Sequence, residues 1–247
     1  MKRRSLLRLA GAAAFSLALP ASARAKPLEC EVPAEMLEVS AKLPYLALAL
    51  REKAPVKIVA IGGASTKGTA AGSPDLAYPH RLQLALAKFY PDVPITVVNQ
   101  GMARQTAQQM LERFPADVSA EKPVLVVWEA GISDAVRGIE LDDFAAALQA
   151  GIDLAKNRAI DILLVDMQFS RRAATVIDFE RYLNTIHRIG ELNEVYVFPR
   201  FAIMRYWSEQ NVFNFDDVAE SERARLAANV YDCIGRTLAD AIRNAVR

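Results

Sequence analysis

The chain has 247 residues and a formal net charge of +1 at pH 7, from 30 Lys and Arg against 29 Asp and Glu. That balance gives no electrostatic case for a nucleic-acid binder, and 52% hydrophobic residues suit a chain with a sizeable core. Two cysteines and two histidines in all argue against a structural zinc site.

The first 25 residues read as a targeting segment. Lys2, Arg3, Arg4 and Arg8 make a basic start, residues 9–19 a short apolar core, and Ala23-Arg24-Ala25 a small-x-small cleavage site. Arg3-Arg4-Ser5-Leu6-Leu7-Arg8 is loosely similar to a twin-arginine signal, so both the Sec and the Tat route stay open. The apolar run is too short to span a bilayer. Residues 1–25 hold five basic and no acidic residues, which leaves 25 basic against 29 acidic over 26–247, a net of −4. The expectation is an exported, mildly acidic protein of one domain, residues 26–247, that binds no nucleic acid and has no membrane span.

Residues 31–54, broken by Pro33 and Pro44, predict a short helical lead-in. Val56-Lys57-Ile58-Val59-Ala60-Ile61 is a β-branched run that stops at Gly62-Gly63, the pattern of a buried parallel strand ending in a sharp turn. A helix is expected over 81–89, a second strand over 95–100 closed by Gly101, and a helix over 106–114. A third, fully apolar strand covers 124–128 and ends at Ala130-Gly131; a helix opens at Asp142-Asp143; a fourth strand covers 160–165. A helix over 177–192, a short fifth strand over 195–198 and a long closing helix from about 221 to 246 complete the chain. Strands alternating with helices imply a three-layer α/β fold with a parallel sheet. Tyr206-Trp207 with Phe213 and Phe215 reads either as an aromatic lip over a cleft or as core packing under a loop.

Cys30 and Cys233 are an isolated pair near the two ends of the exported chain. In an oxidising compartment such a pair reads as a disulfide, worth about 5 kcal/mol for so long a loop on the entropic account; two unpaired buried thiols are the alternative.

In open α/β sheets ligands sit beyond the carboxyl ends of the strands. The stretch Gly62-Gly63-Ala64-Ser65-Thr66-Lys67-Gly68 resembles the first block of the SGNH/GDSL hydrolases, and the block order continues through Asn99-Gln100-Gly101 and Gly131-Ile132-Ser133-Asp134. Cys30-Glu31-Val32-Pro33, Ser73-Pro74-Asp75 with Tyr78-Pro79, and Tyr231-Asp232-Cys233 are similar to an exported bacterial subgroup of that family, where the cysteines occupy the same places. The resemblance implies a flavodoxin-like fold with five parallel strands and helices on both faces, and a periplasmic or secreted location. The family's reaction is acyl-ester hydrolysis by a serine, a histidine three residues after an aspartate, and an oxyanion hole of a turn glycine and an asparagine.

Carried over residue by residue, the nucleophile position is Ala64. The asparagine position is Ser133, the histidine position is Arg225 in Glu222-Arg223-Ala224-Arg225, and Gly101 alone is kept. Arginine stays protonated and cannot act as a general base. The histidines present, His80 and His187, fall outside the family's histidine position. The expectation is therefore a pseudoenzyme that binds a small-molecule or glycan ligand of acyl- or carbohydrate-ester type, or a periplasmic protein partner, through Gly63, Ala64, Ser65, Gly101, Ser133 and Arg225. No cofactor or metal is implied. The competing reading is an active esterase with Ser65 as nucleophile and Lys67, Asp134 or Glu222 as base. A third reading, a phosphate cradle at Gly62–Gly68, fits neither the P-loop nor the dinucleotide spacing.

Overall fold

Runs of Val, Ile and Leu that alternate between two faces build the sheet. In the computed structural model β1 (Val56–Gly62) lies between β2 (Ile95–Gly101) and β3 (Leu125–Glu129), and β4 (Asp161–Val165) and β5 (Val197–Phe198) follow on the β3 side. All four pairings are parallel, as expected from the alternating pattern, and the order is β2-β1-β3-β4-β5. The structure describes residues 30–169, 171, 175, 177–215 and 218–247; the leader expected over 1–25 lies outside the described residues. Among the described residues no helix is long and apolar enough to cross a membrane.

The sheet has a core on each face because successive strand residues point to opposite sides. Ile58, Val127 and Leu163 face one side, where they pack with Leu46 of α1 (Pro44–Arg51), Leu82 of α3 (Tyr78–Phe89) and Ile234 of the 26-residue closing helix α9 (Glu220–Ala245). Val59, Trp128 and Leu164 face the other, against Met110 of α4 (Ala107–Asp117), Ile152 of α6 (Leu141–Lys156) and Ile186 of α7 (Phe179–Leu192). Each such fully buried side chain contributes roughly 1.5–3 kcal/mol relative to exposure.

Among the described residues, three α-helices stand where no helix is expected from the sequence. They are the single turn α2 (Ala64–Lys67), α5 (Ile132–Arg137) and α8 (Arg200–Glu209). The fifth strand is shorter than the apolar run predicts because Val195 N–H bonds back to Gly190 O at 2.8 Å, closing α7 instead of joining the ladder. The aromatic cluster is core packing: Trp207 is fully buried on α8 and meets Phe213 edge to face at 5.6 Å. Cys30 and Cys233 form a disulfide across 203 residues with Cα atoms 5.2 Å apart, tying the start of the described chain to α9.

Candidate functional site

The turn after β1 is set by two close approaches. A Cβ on Gly62 would fall 2.1 Å from Thr66 Oγ1, and one on Gly101 would fall 2.1 Å from Lys67 N, so α2 sits directly on the ends of β1 and β2. The Gly101 N–H donates to Asn99 Oδ1 at 2.9 Å, and Asn99 Nδ2 donates to Thr66 O at 2.7 Å. Gly101 is thus needed for packing, and its N–H is already engaged.

Within α2 the two candidate positions face opposite ways. Gly63 is its buried N-cap, Ala64 is exposed, and Ser65 is 5% exposed with its hydroxyl turned inward. Ser65 Oγ donates to Gln168 Oε1 at 3.1 Å and accepts from Arg200 Nη2 at 3.0 Å. A hydroxyl has one proton and two lone pairs, and in Ser65 the proton and one lone pair are engaged. Its proton points to an amide oxygen and its neighbour is a cation; neither can take that proton.

Arg200 begins α8 and is fully buried. Its Nη1 lies 2.9 Å from Glu129 Oε1 at the end of β3, with both side chains no more than 3% exposed. The other Glu129 oxygen accepts the Thr66 N–H at 3.1 Å and the Thr66 hydroxyl, and Tyr78 donates to that hydroxyl at 3.0 Å. Burial pushes the phenols of Tyr78 and Tyr231 above their usual range, and Glu129 adds to this by disfavouring a nearby phenolate. The ion pair and its hydrogen bonds fill the space between the ends of β1, β3 and β4. Breaking such a buried pair from one side costs about 3–5 kcal/mol, because the survivor is left charged without a partner.

The remaining sequence candidates lie outside this network. Arg225 is 76% exposed in its side chain and pairs with Glu222 within the first turns of α9. Ser133 is half-buried on α5, and Lys67 is exposed. Asp134 is buried and caps α4 through the Ala107 N–H, 3.0 and 3.2 Å from its two oxygens; burial raises its carboxyl above the usual range. Among the described residues neither histidine bonds to Ser65. His80 is half-buried at the start of α3, and His187 Nε2 lies 3.0 Å from Asp166 Oδ2. Also among the described residues, no group of three or more His, Cys, Asp or Glu is placed to hold a metal ion.

Arg200 and Glu129 are the residues that sequence reasoning missed, yet each carries a signal. Glu129 ends the apolar strand that begins at Leu125, and Arg200 sits between Val197-Phe198-Pro199 and Phe201-Ala202-Ile203. Arg and Glu are almost never fully buried unless paired, so one charge of each sign embedded in an apolar run predicts a buried pair.

The fold is shared with solved esterases. The acetylxylan esterase Axe2 from Geobacillus stearothermophilus matches with a TM-score of 0.62 at 20% identity, over 76% of this chain and 94% of its own. LAE5, an α/β hydrolase from the metagenome of Lake Arreo, Spain, gives 0.61 at 19% over 78% and 98%, and TesA 0.56 at 21% over 72% and 97%. No curated protein sequence matches the chain. The model of the non-GDSL lipase-like family matches residues 29–247. The chain therefore belongs to the non-GDSL lipase-like family, on the SGNH/GDSL hydrolase fold.

Proposed function

We propose that this protein is an exported member of its family that no longer hydrolyses esters by the serine mechanism and instead binds a ligand or a protein partner at the surface around Ala64. The observation that carries this reading is the division of labour in α2. The exposed position at the strand end bears only a methyl group, and the hydroxyl beside it is buried under a guanidinium. A serine at neutral pH needs a base to become a nucleophile, and Arg200 stays protonated. Ser65 as nucleophile would also require α2 to turn, breaking two hydrogen bonds to reach solvent.

Ala64, beside the buried Gly63, and half-buried Ser133 supply a contact surface with little steric bulk at the strand ends, where ligands of open α/β sheets bind. A carbohydrate ester is the ligand class of the acetylxylan esterase neighbour, and it is the class adopted for this surface. A leader over 1–25 and the Cys30–Cys233 disulfide both support export to an oxidising compartment. The test pairs turnover with binding. The protein should show no Ser65-dependent release of nitrophenol from p-nitrophenyl acetate, while acetylated xylo-oligosaccharides should perturb backbone amides at 63–66 and 131–133 in NMR spectra. Ester turnover that Ser65→Ala abolishes would overturn the reading.

A further inference from the structure

The start of the described chain runs against α8 and α9 as a strap. Residues 30–40 are all half-buried or exposed, whereas Ala41 and Leu43 belong to the core. The Met36 and Glu38 N–H groups bond back to Pro33 and Glu35, inside the same segment. The first residues of the strap are joined to the body by the Cys30–Cys233 disulfide, and Glu31 O accepts the Trp207 Nε1–H at 3.3 Å. A segment that buries so little opens at low cost once its covalent tie is gone.

The two sulfurs are unequally placed. Cys233 is fully buried within α9, whereas Cys30 is half-buried and lines a cavity of about 770 Å³. Val32 and Leu37 of the strap line that cavity together with Leu84 and Phe89 of α3. Arg236, three residues after Cys233 on α9, places Nη2 against Cys30 Sγ and 3.8 Å from Cys233 Sγ. Asp232 Oδ2 pairs with Arg236 at Nε, 3.1 Å away, and Arg81 Nε lies 4.0 Å from the other Asp232 oxygen. Two guanidiniums therefore flank one carboxylate beside the bond. Of the other charged residues on the cavity, Glu31 and Lys88 are opposite in sign, and Asp240 is paired with Arg243. A guanidinium beside both sulfurs stabilises the negative charge that builds on them during attack, and each thiolate as it leaves.

We propose that Cys30–Cys233 is an exchange-active disulfide, and that its reduction by a dithiol releases the strap and opens the cavity it lines. A thiolate of the dithiol attacks Cys30 Sγ, the S–S bond breaks, and Cys233 leaves as a thiolate. The second thiolate of the dithiol then attacks its partner sulfur in the mixed disulfide, and Cys30 leaves beside Arg236. Two electrons pass to the cystine, the dithiol becomes a disulfide, and its two protons reach the Cys30 and Cys233 thiols through water. The device is independent of the role of Ser65.

The test treats the folded full chain with dithiothreitol in the absence of denaturant. Free thiols are followed by maleimide mass increments, and the indole N–H signals by NMR. The chain has two tryptophans: Trp207 reports on the strap, and Trp128, with Nε1 3.2 Å from Met110 Sδ on the other face of the sheet, on the body. Reduction should free both cysteines, move the Trp207 signal and leave Trp128 in place. Cys30→Ser should show the displaced Trp207 signal with no reductant. Arg236→Gln should slow the reduction about tenfold, as expected when a thiolate loses an adjacent cation, and Arg236→Lys should recover most of that rate. The inference fails if thiols appear only in denaturant, if Trp207 stays in place after reduction, or if both indole signals move together, which would make the bond a staple of the whole fold. It fails equally if Arg236→Gln is reduced as fast as the parent, or if Arg236→Lys is no faster than Arg236→Gln.

Discussion

Two strand ends of the same sheet each carry a buried carboxylate, and the partners differ. Glu129 at the end of β3 is held by a guanidinium that is itself fully buried, by a backbone N–H and by a hydroxyl. Asp166 after β4 is held by one backbone N–H and by an imidazole that is 41% exposed. A permanent charge enclosed on all sides makes a fixed clasp, whereas a titratable ring at the surface leaves a nitrogen free for something else. The first place holds the Ser65 hydroxyl between Gln168 and Arg200. The second is open. Asp161, at the opposite end of β4, completes the series: among the described residues its carboxylate is met by backbone N–H groups of Tyr45 and Leu46 in α1, the latter at 2.8 Å.

The comparison can be broken most forcefully at Arg200. Arg200→Met should cost about 3–5 kcal/mol by leaving Glu129 buried and charged, and Arg200→Met with Glu129→Gln should recover most of it. Urea denaturation checks both; a single variant within 1 kcal/mol of the parent would show that the clasp carries no such strain, by the same scale. Next in size is Tyr78→Phe. It removes the donor to Thr66 and should cost about 1 kcal/mol, measured the same way.

Asp161 sharpens the series through pH. Burial raises its carboxyl from 3.8 to about 6, because two N–H groups only partly replace lost water. Between those values the folded protein holds a proton that the unfolded chain has released, so this group's contribution to stability falls as pH rises from about 4 to 6 and is level above that. Asp161→Asn, which keeps an acceptor for α1, should flatten that part of the pH–stability curve; an unchanged slope would reassign it to other groups. The smallest effect is expected at the open end. His187→Gln should change stability by about 0.5 kcal/mol or less, as for a half-exposed group away from a core, and a larger loss by thermal melting would make His187 a clasp like Arg200.

Much of the architecture was legible, and the reasons are local. The strand at 56–62 and the strand at 125–129 announce themselves as β-branched or apolar runs cut by glycine, since a strand buried on both faces has few other ways to be written. The disulfide was legible from there being one pair of cysteines. The helix beginning at Arg200 was not, because Pro199 and the aromatic residues around Trp207 read as a loop, while the apolar side of that helix is recognisable only against the core it meets. The arginine that matters was likewise misplaced. Position 225 attracted attention through the resemblance, but its side chain is exposed beside Glu222, and the buried guanidinium comes from a residue 25 positions earlier. Ser65 was legible as a candidate; its inward direction was not, since one residue of register in a single-turn helix decides between solvent and interior.

The central claim is that Ser65 is a structural hydroxyl. Intact-mass spectrometry after incubation with a fluorophosphonate tests it most directly, because that reagent modifies a serine only where the hydroxyl is activated. The account predicts an unmodified mass under conditions that fully label a serine esterase run alongside. A single stoichiometric adduct that maps to Ser65 and disappears in Ser65→Ala would contradict it.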